Sequence, residues 1–294
     1  MPELEYYLVD VFTETALTGN PLAVVRNTAN LTTGQMQSIA REFNLSETTF
    51  VERRDAATEA AEGIRVRIFT TQEELPFAGH PTLGTASVLK LTAPETMRGS
   101  IITLAENIGP IPVSFADPSR PLLGEMTQRD PEFGPELDPA HVADLCGLVP
   151  GDLDPAATPQ IVSTGNGFAI VVLRSVEALA RLNVRQQEAT PWLRSRNARW
   201  FYILAPTGQH KFQARMQFYG GEDPATGSAA GCAISYLVAR GIVPSGQRVH
   251  VRQGVEMGRP SDLFLSAKLD TARVTEVRVG GSTVLVATGR LFLP

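Results

Sequence analysis

The chain repeats itself. EELPFAGHPTLG (residues 73–84) and GEDPATGSAAG (residues 221–231) align so that Glu74 falls on Glu222, Pro76 on Pro224 and Gly79 on Gly227, an offset of 222 − 74 = 148 residues. TGNPLAVV (Thr18 to Val25) returns as TGNGFAIV (Thr164 to Val171) at 164 − 18 = 146, and RVRIF (Arg65 to Phe69) returns as ARMQF (Ala214 to Phe218) at 148 or 149. Three matches in the same order at a nearly constant offset mark two diverged copies of one unit, and a period this long is no solenoid repeat. A chain of 294 residues is long enough for two domains, each with its own core.

Each copy has the same coarse plan. A strand leads into a Thr-Gly-Asn turn and an apolar strand, LAVV in one half and FAIVVL in the other. GIRVRIFT and KFQARMQFY read as further strands, and each half then ends a glycine-rich turn in a helix, HPTLGTASVLKL or GSAAGCAISYLVARG. Small residues along both helices point to burial inside a wrapping sheet. LTTGQMQSIAREFN reads as an additional amphipathic helix, with Leu31, Met36, Ile39 and Phe43 at helical spacing. The expected class is α+β: two domains, each a mostly antiparallel sheet around a central helix. The proline-rich, repeat-free stretch FADPSRPLLG (115–124) is the expected linker, which gives domains of 1–119 and from 120 onward.

Composition narrows the partners. A hydrophobic fraction of 43% with 19% charged residues suits a globular chain, and a net charge of −5 argues against nucleic acid and anionic membrane. No apolar run reaches the length of a membrane span, and MPELEYYLVDVF passes directly into a strand pattern, unlike a signal peptide. Cys146 and Cys232 have neither metal-ligand spacing nor the density of a disulfide framework, so the expected setting is cytoplasmic, with reduced thiols and no metal site.

Chemistry concentrates where the two buried helices start. A helix N-terminus offers unpaired N–H groups and partial positive charge, and so attracts carboxylate or phosphate. Gly79 and Gly227 let the backbone approach a ligand closely. If the halves are related by a pseudo-two-fold axis, the two helix starts face one another across a ligand-binding cleft. Either motif alone is also what an ordinary capped helix would show, with Ser228 as a cap and Pro81 in the first turn. The pair departs from symmetry chemically, however: His80 matches Ser228, and Leu75 matches Asp223.

His80, at a helix start in an open cleft, would be a neutral imidazole whose pKa the helix dipole lowers, against the plainer reading of a satisfied core or cap histidine. Asp223 would bind an ammonium group or take part in proton transfer; otherwise it is a surface turn residue. Ser46 and Glu47 lie where the first-half helix meets the strand TTFVE. Apolar Leu45 and Phe50 beside Glu47 favour a carboxyl suited to moving protons, against the plainer reading of a capping or surface glutamate. QGVEMGRPS (253–261) reads as a glycine turn that is either structural or lines the cleft.

Taken together, DVFTETALTGNPLAVV, NLSETTFV, RIFTTQEELPFAGHPTLGTA, EDPATGSAAG and QGVEMGRPS resemble the PhzF family of phenazine-biosynthesis isomerases. The resemblance runs from the first strand to the last and is weak only around 120–160. It implies the diaminopimelate-epimerase-like fold, two pseudo-two-fold-related α/β domains. The last strand (283–294, in STVLVATGRLFL) would return to the first domain, leaving 120–282 as the second. It further implies a cofactor-independent isomerisation of a small cyclic carboxylate such as trans-2,3-dihydro-3-hydroxyanthranilate, and a homodimer. Carried over by motif, Glu47 is the acid/base that shuttles the proton. Ser46, Gly79, His80, Asp223, Gly227 and Ser228 bind and orient the substrate.

Two other functions fit the same chain less well. Amino-acid racemisation or epimerisation needs opposed bases, which in the resembling epimerases are thiols just before the helix-start glycines; those positions hold Ala78 and Thr226. A non-catalytic binding protein would use the helix starts to hold a small anion, and would leave Glu47 without a purpose.

Overall fold

The computed structural model describes residues 3–92, 100–117, 122–218 and 221–293. The chain forms two compact units, Met1–Thr127 with Gly280–Pro294, and Gln128–Val279. The changeover follows the expected linker stretch, of which residues 118–121 lie outside the described residues.

The first unit runs β1 (Glu3–Val11), β2 (Asn20–Val25), α1 (Thr33–Phe43), β3 (Glu47–Glu52), α2 (Ala56–Glu62), β4 (Ile64–Phe69), β5 (Glu74–Leu75), α3 (Gly79–Thr92), β6 (Ile101–Glu106), β7 (Gly109–Ser114) and β8 (Leu123–Thr127). Its sheet is mixed. β1–β2, β3–β4, β6–β7 and β7–β8 are antiparallel, whereas β2–β3 and β4–β6 are parallel. The strand ending the chain closes it: Thr283–Phe292 pairs antiparallel with β1, and the Thr283 N–H donates to the Leu122 carbonyl beside β8.

Closure explains the composition of α3. Every residue from Gly79 to Leu89 is buried, so the helix has no polar face. Gly84 lets it sit this deep, because a Cβ there would lie 2.6 Å from Leu22 Cδ2 and 2.7 Å from Val11 Cγ2. α1 packs on the outside instead. Thr32 caps it in a reciprocal pair with Gln35, Asn44 ends it in the left-handed region at φ 51°, and Met36, Ile39 and Ala40 meet Val25, Phe50 and Phe69.

The second unit repeats the plan with β9 (Glu132–Glu136), α4 (Pro139–Leu145), β10 (Gln160–Ser163), β11 (Gly167–Val172), α5 (Val176–Ala180), α6 (Gln186–Arg194), β12 (Trp200–Gly208), β13 (Lys211–Arg215), β14 (Gln217–Phe218), β15 (Gly221–Glu222), α7 (Gly227–Ala239), β16 (Val249–Gln253), β17 (Ser261–Asp270) and β18 (Arg273–Phe292). β11–β12 and β13–β16 are its parallel pairs; β10–β11, β12–β13 and β16–β17 are antiparallel. That is the first unit's pattern, strand for strand. α7 is buried from Gly227 to Val238, and α4, α5 and α6 close the other face through Leu145, Leu179, Leu193, Phe201 and Ile203.

The repeat therefore describes topology as well as sequence. Phe69 pairs with Glu74 before α3, and Gln217 pairs with Glu222 before α7. The class is α+β as expected, and among the described strand pairs the mixed sheet is mostly antiparallel, with two parallel pairs in each unit. Among the described residues no helix is long and apolar enough to cross a membrane.

Candidate active site

Parallel pairing of β2 with β3 brings the first residues of both strands to one end of the first unit's sheet, with Leu22 opposite Glu47. The first turn of α3 reaches the same end. His80 Nε2 lies 3.6 Å from Glu47 Oε2, too long for a hydrogen bond but close enough to become one with a small shift. On the ring's other side, Asn20 Nδ2 lies 3.1 Å from Nδ1. An amide nitrogen only donates, so Nδ1 accepts and the neutral ring carries its proton on Nε2, facing Glu47.

His80 is 2% exposed, which corrects the expectation of a side chain in an open cleft: α3 is enclosed by its sheet up to its first turn. Burial, rather than a helix dipole, lowers its pKa to about 3. The imidazole is therefore neutral throughout the physiological range. Glu47 keeps contact with solvent, its side chain 15% exposed, and Ser46 beside it is half-buried.

In the second unit, Asp223 is buried and precedes α7 in a braced loop. Thr226 Oγ1 donates to Asp223 Oδ2 at 2.6 Å. Gln253, ending β16, donates from Nε2 to the Asp223 carbonyl at 2.7 Å and to Thr226 Oγ1 at 2.9 Å. Its Oε1 accepts from the Tyr202 hydroxyl at 3.0 Å and the Thr226 N–H at 3.1 Å. Every hydrogen-bonding position of that amide is thus filled.

Gly254 follows at φ +77°, where a Cβ would lie 2.7 Å from the Pro224 carbonyl oxygen. QGVEMGRPS therefore braces the loop that carries Asp223. Gly227 and Ser228 form the first turn of α7, and Thr226, not Ser228, takes the cap position. Cap geometry corrects that expectation: Ser228 already lies within the helix.

The glutamates of the two repeated motifs have a role that spacing alone did not show. Arg67 donates to Glu74 from Nε at 2.9 Å and Nη2 at 2.6 Å; Arg215 donates to Glu222 from Nε at 2.9 Å and Nη2 at 2.6 Å. Each pair is a bidentate fork that fixes the turn leading into the buried helix. The units part where chemistry is expected. Opposite Phe168, the position matching Glu47 holds Trp200, half-buried against Phe168 and Phe218. The carboxylate is not duplicated.

Over residues 9–289 the sequence matches the family described as phenazine biosynthesis-like protein, PhzC-PhzF. The chain belongs to the PhzF family. It is 35% identical to the trans-2,3-dihydro-3-hydroxyanthranilate isomerase of Pseudomonas aeruginosa, covering 98% of this chain and 99% of that protein. An uncharacterised isomerase of Mesorhizobium japonicum is 36% identical over the whole of both chains. Among solved structures, a predicted epimerase from Pseudomonas aeruginosa superposes with a TM-score of 0.83 at 33% identity, covering 99% of each chain.

As a PhzF-type protein the chain is an isomerase. Its thiols stand apart from the helix starts of this family member: Cys146 and Cys232 are free and buried, and positions 78 and 226 carry alanine and threonine. Burial raises both thiols, Cys232 to about 11, which keeps them protonated. Among the described residues no three His, Cys, Asp or Glu side chains cluster as a metal site would require. Sequence reasoning singled out Glu47, His80 and Asp223 but missed Asn20 and Gln253. The signal for Asn20 was there, since it ends the repeated Thr-Gly-Asn turn.

Proposed function

We propose that the chain moves a proton between two carbons of a small cyclic carboxylate of the trans-2,3-dihydro-3-hydroxyanthranilate type, without a cofactor and with Glu47 as the only acid/base. The observation that carries this reading is Glu47 beside the Nε2–H of a permanently neutral His80, while the matching strand position in the other unit holds Trp200. A single group must then take the proton and return it. The Glu47 carboxylate removes a proton from one ring carbon, the electron pair passes into the conjugated system, and the resulting carboxylic acid delivers the same proton to another carbon. No atom is gained or lost.

The remaining residues bind and orient in this reading. His80 donates from Nε2 to a substrate oxygen, and Asp223, acidic and braced, accepts from a substrate amine or hydroxyl. Ser46 and Ser228 add hydroxyls, and backbone N–H groups at Gly79 and Gly227 balance charge that builds up as the proton leaves. The reading takes the fold as diaminopimelate-epimerase-like with pseudo-two-fold-related units, and the working molecule as a homodimer. Light scattering in solution tests the dimer.

The test of function is direct. Purified protein is incubated with trans-2,3-dihydro-3-hydroxyanthranilate and the ring isomer is followed by absorbance and mass. Conversion at unchanged mass, lost in Glu47→Gln, supports the reading. Binding without conversion makes the chain a carboxylate-binding protein instead.

A further inference from the structure

Glu106 is a buried carboxyl at the His80 end of the first unit, and the proton shuttle has no use for it. It ends β6, is 5% exposed, and its Oε1 lies 2.6 Å from Thr82 Oγ1. The same hydroxyl lies 2.7 Å from the carbonyl oxygen of Ala78, the residue preceding Gly79 and His80. A hydroxyl has one proton to give. If Glu106 were ionised, Thr82 would have to choose: turned to the carboxylate it would leave the Ala78 carbonyl with the longer bond from the Thr82 N–H at 3.2 Å, and turned to the carbonyl it would leave a buried carboxylate without a donor. If Glu106 is protonated, the chain closes: the Glu106 carboxyl donates to Thr82 Oγ1, and Thr82 donates to the Ala78 carbonyl.

The repeat supplies an independent argument. Arg67 matches Arg215, and in the parallel pairs Arg65 lies opposite Ala105 as Gln213 lies opposite Arg252. Glu106 therefore matches Gln253. That residue is a neutral amide, and it braces its own helix start by donating to Thr226 Oγ1 and the Asp223 carbonyl. Only a protonated carboxyl can donate in the same way.

We propose that Glu106 is a positioning residue for the His80 helix start, holding the Ala78 carbonyl through Thr82 only while its own carboxyl is protonated. The surroundings favour that form. Burial pushes the Glu106 carboxyl up to about 8. The opposing charge is Arg65 of β4, and its guanidinium is engaged elsewhere, with the Ala105 carbonyl and Asn107 Oδ1. On α2, Glu59 and Glu62 bond Arg53 and Arg54; α3 presents the uncharged Thr82, and the β7 residue paired with Glu106 is Gly109. As pH rises through that value the relay opens, and the helix start loosens at the turn that carries His80.

The proposal rests on the isomerase reading only for its effect on turnover, so the test has two arms. Infrared titration of the carboxyl needs no substrate: wild type minus Glu106→Gln should show a protonated carboxyl at pH 6 that ionises near pH 8. Turnover of trans-2,3-dihydro-3-hydroxyanthranilate should fall about tenfold by one pH unit above that value in the wild type. Glu106→Gln, which keeps a donor that cannot titrate, should stay flat, and Thr82→Val should be impaired at every pH. A carboxylate band already present at pH 6 overturns the proposal, as does the same alkaline decline in wild type and Glu106→Gln. If the carboxyl titrates as expected but no variant turns over, the isomerase reading fails and the relay stands.

Discussion

His80 directs its Nε2 proton at Glu47, 3.6 Å away, and it does so as a neutral ring. A charged imidazolium there would hold Glu47 as a carboxylate and oppose its taking up a proton. A neutral N–H leaves the carboxyl free to accept a proton and give it back. Glu47→Gln, which preserves size, should therefore lower turnover by about 10² to 10⁴-fold while leaving thermal unfolding within about a degree of wild type. Turnover retained at near wild-type rate would remove Glu47 from the mechanism.

Asn20 decides which nitrogen of His80 holds the proton. Asn20→Leu should release Nδ1, let the tautomer redistribute and lower turnover about tenfold or more. Stranding a buried acceptor should also cost on the order of 1–3 kcal/mol of stability. Nitrogen NMR of the ring reports the tautomer directly. A wild-type spectrum with the proton on Nδ1 would reverse the assignment.

His80 and Glu106, both buried in the first unit, make opposing demands on pH. His80 has its pKa lowered from 6.5 to about 3, so below pH 6.5 the folded state binds fewer protons than the unfolded, and this contribution to stability is lost as pH falls. Glu106 has its pKa raised from 4.5 to about 8, so its contribution is complete below pH 4.5 and is lost as pH rises. Between pH 4.5 and 6.5 the slopes, each roughly 1.4 kcal/mol per pH unit, have opposite signs. Wild-type stability should be nearly flat there. Urea unfolding of His80→Gln should then show stability falling with pH in that window, and Glu106→Gln should show it rising. Parallel curves for all three proteins would refute both assignments.

How much of this was legible depends on what kind of neighbour each residue has. The repeat exposed α3 and α7 because a helix buried all round needs small residues wherever it occurs, and that demand survives divergence. Glu47 and His80 were legible from glycine turns and apolar flanks. Gln253, Gln128 and Glu106 were not, because each acts on a helix start far away in sequence, and nothing local marks a residue whose partner arrives only on folding. His80 was expected to be open for a related reason: spacing locates a helix start but does not say how far the sheet covers it.

The two bidentate forks have the same geometry and unequal burial, which separates their energetics. Side chains of Arg215 and Glu222 are 9% and 12% exposed, against 16% and 23% for Arg67 and Glu74. Arg215 also donates to the Leu179 carbonyl. Arg215→Met, by stranding the more buried carboxylate, should cost on the order of 3 kcal/mol, and Arg67→Met roughly half as much. Denaturant unfolding checks the order. Equal losses would mean that burial does not set the strength of these pairs.

Gly231 and Gln128 form a lock at the start of α7. Gln128 is 4% exposed; its Oε1 accepts from Thr164 Oγ1 at 2.6 Å and its Nε2 donates to the Gly227 carbonyl at 2.8 Å. The amide lies directly on the helix, and a Cβ at position 231 would come within 2.0 Å of Oε1. Gly231→Ala gains about 1 kcal/mol of helix propensity. It also drives the amide off both partners, leaving buried groups unpaired at about 1–3 kcal/mol, with overpacking of similar size. The expected net loss is about 2 kcal/mol. Gln128→Ala vacates the space the new methyl needs, so the double variant should be more stable than the two single losses predict, by at least about 1 kcal/mol. Strict additivity in that cycle would show that Gly231 is required for something other than the approach of Gln128.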